Sequence, residues 1–482
     1  MSQVATIRRN SLFVFASQVI RLLTNAVAFI GIARLYGPEV FGQFTAAHTL
    51  ATIFILLADF GFDALLAAGI AAHRDRVREL GQTYLSMKLL FAFVACLAMM
   101  GTAAVQNISP DTRGLMYLFS GYVVVSALSN FFFALFKSVE QMHHEARISL
   151  LMNLVLFLAV VALGMTRASV YLLALAFILS RVVGLLLSLP VANRLISLTA
   201  FRFRIARREE LLGISVFGFQ SVCGILLFTQ DTILLSWWAG DREVGIYQSV
   251  FKLVALGLLF SDTAFFSMLP VLSRLHASDP PQWVRVGHLL HKTLCYVSLP
   301  IAFVMIVCAD QVMALLYGTG GYIEAVPLLR LFGAVIIVRY AAEASGIMLT
   351  SSNRQHIRLG IVVAAVLLNF GLNAVAIPRF GAAGAAVVSL ITNLFVAAGY
   401  VVGAREQVLS WLATIRNYLP AVLALTLGLV VTQIKAIPLL PGAVVALLML
   451  ISVTYFAGYT PAERLLLFSL RHSTTHGSES IR

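Results

Sequence analysis

Apolar residues run along almost the whole chain in blocks of about 18 to 25, separated by short breaks of Gly, Pro and charge. A bilayer core of about 30 Å takes about 20 residues of α-helix, so each block predicts one membrane-spanning helix. The blocks fall at approximately 11 to 34, 42 to 66, 82 to 106, 114 to 136, 148 to 165, 169 to 191, 212 to 238, 246 to 271, 293 to 317, 327 to 350, 359 to 377, 383 to 403, 418 to 434 and 438 to 459. Fourteen spans is an even number, which places both termini on the same side. The pattern predicts an all-α, polytopic membrane protein.

Polar positions inside these blocks are spaced with the period of a helix. The first block, LFVFASQVIRLLTNAVAFIGIARL, carries Gln18, Arg21 and Asn25 on one stripe, because residues three and four apart lie one above the other. An Arg at the centre of a span costs roughly 2.5 to 3.5 kcal/mol on insertion scales, so something other than lipid faces that stripe. His48, Thr52, Asp59 and Asp63 line up in the second span, Gln220, Gly224 and Asp231 in the seventh, and Gln248, Lys252 and Asp262 in the eighth. Wet stripes on spans one, two, seven and eight are what a water-filled cavity between two lobes requires.

Composition sharpens the class. Of 482 residues, 60% are hydrophobic and only 11% charged, against about 25% charged in soluble domains. The net charge of +13 is distributed as a topology signal: 22 Lys and Arg fall in loops on the N-terminal side and 5 in the opposite loops. By the positive-inside rule both termini are cytoplasmic, and no nucleic-acid partner is needed to explain the charge. The first apolar run exceeds the roughly 7 to 15 residues of a signal h-region and reads as an uncleaved span. Cys96, Cys223, Cys295 and Cys308 lie in apolar segments without metal-type spacing and read as small buried hydrophobes. His143, His144 and Glu145 read as a solvated cytoplasmic loop, and Trp237, Trp238, Tyr36, Tyr317 and Tyr322 as an outer aromatic belt. The outer loops are too short for a catalytic domain, and no Walker A pattern occurs. The expectation is a protein that is not an enzyme and uses no cofactor or metal. The longest inner loop, Asn193 to Glu210, reads as a linker. It suggests an N-lobe over 1–200 with spans one to six, a C-lobe over 201–404 with spans seven to twelve, and a last part over 405–482 with two extra spans and a cytoplasmic tail.

The two halves share a motif. YGPEVFGQF after span one and AGDREVGIY after span seven both place Gly, four residues, Gly, one residue and an aromatic. Gly37, Gly42 and Phe44 thus correspond to Gly240, Gly245 and Tyr247 at an offset of 203 residues and six spans, which is a parallel repeat about an axis along the membrane normal. With ARLYGPEVFGQF, LADFG in span two, MLPVLSRL ending span eight, LYGTGGYIEAVPLLRL entering span ten and AIPRFGAAGAAVVSL entering span twelve, most of the chain resembles the polysaccharide flippases. Their superfamily also holds multidrug and toxic-compound exporters and the lipid II flippase. The resemblance implies two six-helix lobes around a central cavity that opens alternately to either side, with spans thirteen and fourteen offering a groove for a lipid tail.

The mid-span bases are the candidate cargo contacts. Gln18, Arg21, Asn25, Arg181, Lys252 and Arg339 are assigned to a substrate cavity, where guanidinium groups offer planar bidentate donors to a diphosphate or acidic sugar. The competing reading is that Arg21, Arg181 and Arg339 pair with Asp59, Asp231 or Glu343 to lock helices together. Asp59, Asp262 and Glu343 are candidates for a coupled proton or sodium ion. The resemblance implies a flippase for undecaprenyl-diphosphate-linked oligosaccharide in the inner membrane, serving O-antigen, capsule or exopolysaccharide assembly. Its partners would be membrane lipids, a polysaccharide polymerase and a chain-length regulator. An ion-coupled multidrug exporter and a lipid II flippase are the alternatives.

Overall fold

The computed structural model describes residues 3–204, 208–318 and 320–404, with short pieces at 444, 447–448, 450–452, 459–461 and 463. The side chains of residues 3–20 and 208–217, among others, lie outside that description, as do most of the positions assigned to spans thirteen and fourteen. The chain is all-α. Its helices are α1 (Gln3–Asp59), α2 (Phe62–Ala72), α3 (Val77–Val105), α4 (Pro110–Ser138), α5 (Met142–Met165), α6 (Val170–Ile196), α7 (Arg208–Trp238), α8 (Asp241–Ser278), α9 (Pro280–Val307), α10 (Ala309–Tyr317), α11 (Ala325–Ser351) and α12 (Gln355–Gly403). Among the described residues, nine helices are long and apolar enough to cross a membrane.

Two of those nine contain a break that the sequence pattern had read as a loop. In α1 the chain turns at Gly37, with φ 80° and ψ 176°, directly before Pro38. In α12 it turns at Gly381, with φ 55° and ψ −135°, three residues after Pro378. Each positive φ is open to glycine at little cost, and each proline withholds a helical donor. The LADFG motif is a further break: Phe60 and Gly61 take φ of 40° and 92° and separate α1 from α2.

The structure corrects three local expectations. The block read as one span over 293 to 317 is the end of α9 followed by a separate α10. The helix begins at Pro280, where the Asp279 side chain accepts the Gln282 N–H at 3.0 Å and proline fills the first turn, a start signal visible in SDPPQ. His143, His144 and Glu145 are the first turn of α5, and Glu145 is buried and paired with Lys137 at 3.0 Å. Tyr317 and Tyr322 are buried and pack on each other with ring centroids 5.0 Å apart, so neither anchors at a lipid interface.

The chain divides into two compact units, residues 1–249 with 373–382, and residues 250–372 with 383–482. In the first, α1 packs on α4 and α5, α3 on α4, and α4 on α6. Phe62, Phe131, Phe132 and Phe136 are central in one of its apolar clusters. Leu158, Leu179 and Leu186 point outward and are exposed, the inverse of a soluble surface and the arrangement that lipid requires.

The repeated motif explains itself in this unit. The two glycine turns approach each other reciprocally: a Cβ on Gly42 would lie 1.7 Å from the Asp241 carbonyl oxygen, and one on Gly245 would lie 1.8 Å from that of Pro38. Position 38 corresponds to 241 and position 42 to 245 under the 203-residue offset, so one contact is made twice about the repeat axis. Phe44 and Tyr247 are fully buried beside it. Asp241 also accepts from Ser109 Oγ at 2.6 Å and Thr112 Oγ1 at 2.8 Å, and Glu243 accepts the Ala382 N–H at 2.7 Å.

In the second unit α9 packs along α11, and the Tyr340 hydroxyl donates to the Gly257 carbonyl. Thr460 and Glu463 form a capping box: the Glu463 carboxylate accepts the Thr460 N–H at 2.7 Å and the Glu463 N–H reaches Thr460 Oγ1 at 3.3 Å. Lys292 of α9 pairs with the same carboxylate at 2.9 Å. Burial alone would raise the pKa of Glu463, but the hydrogen bonds from Lys292 and Thr460 outweigh it and hold the carboxyl below its usual range.

Both glycines of the reciprocal contact are expected to reject any side chain. Gly42→Ala and Gly245→Ala should each lower stability by about 1 to 3 kcal/mol or more, the cost of overpacking against rigid backbone. Gly31→Ala, where a Cβ meets nothing within 4 Å, should behave as wild type. Fluorescence-detected thermal unfolding of the detergent-purified protein measures the difference, and equal midpoints for all three would contradict the contact.

Candidate functional site

The first unit brings two of the candidate arginines into one pocket. Arg21 and Asn25 come from α1, Arg181 from α6, Tyr122 from α4, and Glu145 and Asn153 from α5. Polar residues meet here because each sits on the inward stripe of its helix. On α5, for instance, Glu145, Ser149 and Asn153 recur every four residues and all three are buried, a stripe legible in the sequence.

Each side chain is oriented by a neighbour. The Arg181 Nε donates to the Tyr122 hydroxyl at 3.2 Å, and its guanidinium carbon lies 5.6 Å from the centre of that ring. Asn153 Nδ2 donates to the Ser149 carbonyl at 2.7 Å. Arg21 is exposed at the rim, within electrostatic reach of Arg181, Glu145 and Tyr122. Next to the pocket an aromatic cage surrounds His48, with ring centroids at 5.2 Å to Phe29, 5.7 Å to Phe119 and Phe177, and 5.8 Å to Tyr122. Tyr122 and Phe177 thus line the pocket and also wall the histidine.

The charged lining of the pocket is mainly cationic. Two guanidinium groups face a single carboxylate, Glu145, and that carboxylate already pairs with Lys137. The enclosed space is about 20 Å³, enough for a water molecule but not for a phosphate.

The remaining candidates are placed as follows. Gln18 lies outside the described side chains. Asp59 is held by the Lys88 ammonium, which also donates to Asp63 at 3.0 Å. Lys88 is fully buried in α3, so the wet stripe of span two ends in a two-carboxylate, one-lysine cluster at the LADFG break. Asp231 accepts from the Tyr247 hydroxyl at 2.7 Å and from Asn373 Nδ2 at 2.8 Å. In the second unit Arg339 of α11 lies near Glu343 and Asp262, while Glu343 pairs with Arg358 at 3.6 Å. Arg358 stacks over Phe265 at 4.7 Å and donates to Thr350 Oγ1 at 3.1 Å. Lys252 is partly buried on α8, and Asp262 is exposed on the same helix. Tyr122, Glu145 and Asn153 are the site residues that the sequence reading did not assign, and His48 it placed only on the wet stripe of span two.

Comparison with known proteins bears on the family and the fold. A family described as polysaccharide biosynthesis protein matches residues 7–276. A protein of Haloferax volcanii described as a "probable low-salt glycan biosynthesis flippase" is 23% identical over 220 residues, 45% of this chain and 46% of its own. The match thus spans about half the length of that curated relative. Among solved structures, an inward-facing multidrug resistance MATE transporter of the MOP superfamily superposes with a TM-score of 0.66 at 16% identity, covering 82% of this chain and 96% of that one. The lipid II flippase MurJ in an inward closed conformation gives 0.63 at 12% identity, over 92% and 97%. A MOP transporter from Pyrococcus furiosus gives 0.59 at 16% identity, over 84% and 96%. At these identities the structures establish a shared fold.

The Lys88 cluster yields a direct test of whether its carboxylates serve the fold. Lys88→Met should destabilise the protein by about 3 kcal/mol, because it strands carboxylates away from bulk water. Adding Asp59→Asn and Asp63→Asn to it should restore most of the loss. Thermal unfolding of the single and triple variants decides the matter, and a single variant as stable as wild type would remove Lys88 from any structural role.

Proposed function

Because the chain belongs to the polysaccharide biosynthesis protein family, we propose that it is a flippase. Its cargo on this reading is an oligosaccharide linked to undecaprenyl diphosphate, carried across the inner membrane by alternating access from the cytoplasmic leaflet. The observation that carries the proposal is the convergence of Arg21 and Arg181 on one pocket of the N-terminal unit. A diphosphate offers several charged acceptor oxygens, and guanidinium groups bind such oxygens in pairs through charge-assisted hydrogen bonds. The Tyr122 contact orients Arg181 before any cargo arrives. The aromatic cage around His48 supplies rigid walls next to the charge.

The protein on this reading catalyses no bond change. Both termini face the cytoplasm, and the partners are membrane lipids and the enzymes that use the flipped glycan, a polysaccharide polymerase and a chain-length regulator. The basic pocket favours this cargo over the cationic drugs of the multidrug exporters, which call for the opposite charge. If an ion drives the cycle, Asp262 is the carboxylate assigned to it, since it is exposed whereas Asp59 and Glu343 are engaged by Lys88 and Arg358.

The test is glycan display at the surface of cells lacking the gene, complemented at matched protein levels with wild type, Arg21→Ala or Arg181→Ala. Each variant should lose about tenfold or more of the transport rate, since a hydrogen bond to a charged group is worth about 1.5 to 3 kcal/mol. Lipid-linked oligosaccharide should accumulate on the cytoplasmic face. Full display in the null strain, or full rescue by both variants, would overturn the reading of the pocket.

A further inference from the structure

Beyond the cationic pocket, along the same seam between α1 and α5, lies a second concavity of opposite chemistry. Val27, Gly31 and Leu35 of α1 face Phe157, Val161 and Met165 of α5 across a groove of about 240 Å³. Every residue lining it is apolar or glycine.

The two concavities are continuous in register. On α1 the pocket takes Arg21 and Asn25, and the groove takes Ala28, Gly31 and Leu35. On α5 the pocket takes Asn153 and Leu156, and the groove takes Val160 and Gly164. Steps of three and four residues keep each series on one helix face. At 1.5 Å per residue the run from Arg21 to Leu35 measures about 21 Å, some two-thirds of a hydrocarbon core of about 30 Å. The slot is therefore cationic at one end and apolar for the rest of its length.

Two glycines shape it. At Gly31 a Cβ would meet nothing within 4 Å, so the missing side chain is part of the groove's volume. At Gly164 a Cβ would lie 2.8 Å from Leu35 Cδ1, so the missing side chain lets Leu35 close the far end against α5. The groove widens in its middle and narrows away from the arginines.

We propose that this slot seats the polyprenyl chain of the cargo next to its diphosphate, with the first isoprene units in the α1–α5 groove and the diphosphate at Arg21 and Arg181. This rests on the flippase reading above and seats the tail on the first unit rather than at spans thirteen and fourteen, where the resemblance put it. The charge supports a diphosphate over an ordinary phospholipid head. The pocket holds two arginines against one carboxylate that Lys137 already engages, and that surplus suits a multiply charged group more than a single phosphodiester. The direction fits as well. With the N-terminal side cytoplasmic, Arg21 stands near mid-span and Leu35 at the outer end, so head and then tail along α1 run from the middle of the bilayer toward the outer leaflet, the posture of a cargo part-way across.

The experiment uses the purified full-length protein in vesicles of phosphatidylethanolamine and phosphatidylglycerol. One probe is a polyprenyl diphosphate with a photoreactive diazirine in its second isoprene unit, and the other is phosphatidylglycerol with a diazirine in an acyl chain. Labelled peptides are mapped by mass spectrometry, and translocation of a lipid-linked oligosaccharide is measured in the same vesicles. The diphosphate probe should label peptides around Gly31 and Val161 at least fivefold more than the phosphatidylglycerol probe. Gly31→Leu fills the groove from α1, where space is open, and Val161→Trp fills it from α5. Each should cut that labelling at least fivefold, as should Arg21→Gln. Equal labelling by the two probes would overturn the proposal and leave an ordinary lipid-facing groove. So would label that falls elsewhere while wild-type translocation is intact. Groove labelling without wild-type translocation would instead support the site and sink the flippase reading.

Discussion

A charge inside a hydrocarbon slab must be surrounded by something other than lipid, and that constraint organises the helices described here. Insertion of an Arg or Lys at mid-span costs several kcal/mol, and three bases among the described residues are met by different devices. Lys88 is fully enclosed and gathers Asp59 and Asp63 from either side of a helix break. Arg358 stacks on aromatic rings and reaches Glu343. Arg181 leans on Tyr122, a neutral partner that orients it and leaves its charge uncancelled. The first two arrangements neutralise charge inside the protein, whereas the third sets the guanidinium against a neutral hydroxyl and ring.

The same helices are held in register by a contact with no charge at all. The turns at Gly37 and Gly240 share a left-handed φ, and Gly42 and Gly245 each admit the backbone of the other turn. A contact made twice about a repeat axis fixes both hairpins from one sequence motif. The side chains of Asp241 and Glu243 extend it, the first accepting the Ser109 and Thr112 hydroxyls at the start of α4 and the second the Ala382 N–H beside the turn at Gly381. Small residues do here what hydrophobic burial does in water, since lipid offers no drive for helices to associate and close approach must supply it.

Along the α1–α5 seam the two requirements meet. Polar residues collect toward the N-terminal end of α1, where Arg21 and Asn25 face Glu145 and Asn153. Glycine and apolar residues occupy the remainder. An amphipathic slot of this kind matches a molecule that is itself anionic at one end and hydrocarbon at the other. The cargo proposed above for this family is of that kind.

How much of this the sequence determined varies with the range of the interaction. Hydropathy blocks set the all-α membrane class, because backbone in lipid must satisfy its own hydrogen bonds within helices. The Gly-x4-Gly repeat and the stripe of Arg21 and Asn25 were legible because both are periodic and local. The start of α9 was legible in Asp279 and the prolines after it, yet the polar residues there hid it from a search for apolar runs. Only the tertiary structure decided which charges pair. Asp59 could have met Arg21, Lys88 or Arg181 on composition alone, and Lys88 takes it because α3 packs beside the break between α1 and α2. Glu145 moved from a supposed surface loop to a pocket wall for the same reason: α5 begins earlier than its apolar residues do, and its first turn faces α1. A helical stripe can be read from spacing, but the partner across the seam depends on how helices distant in sequence pack, and spacing within one helix carries no information about that.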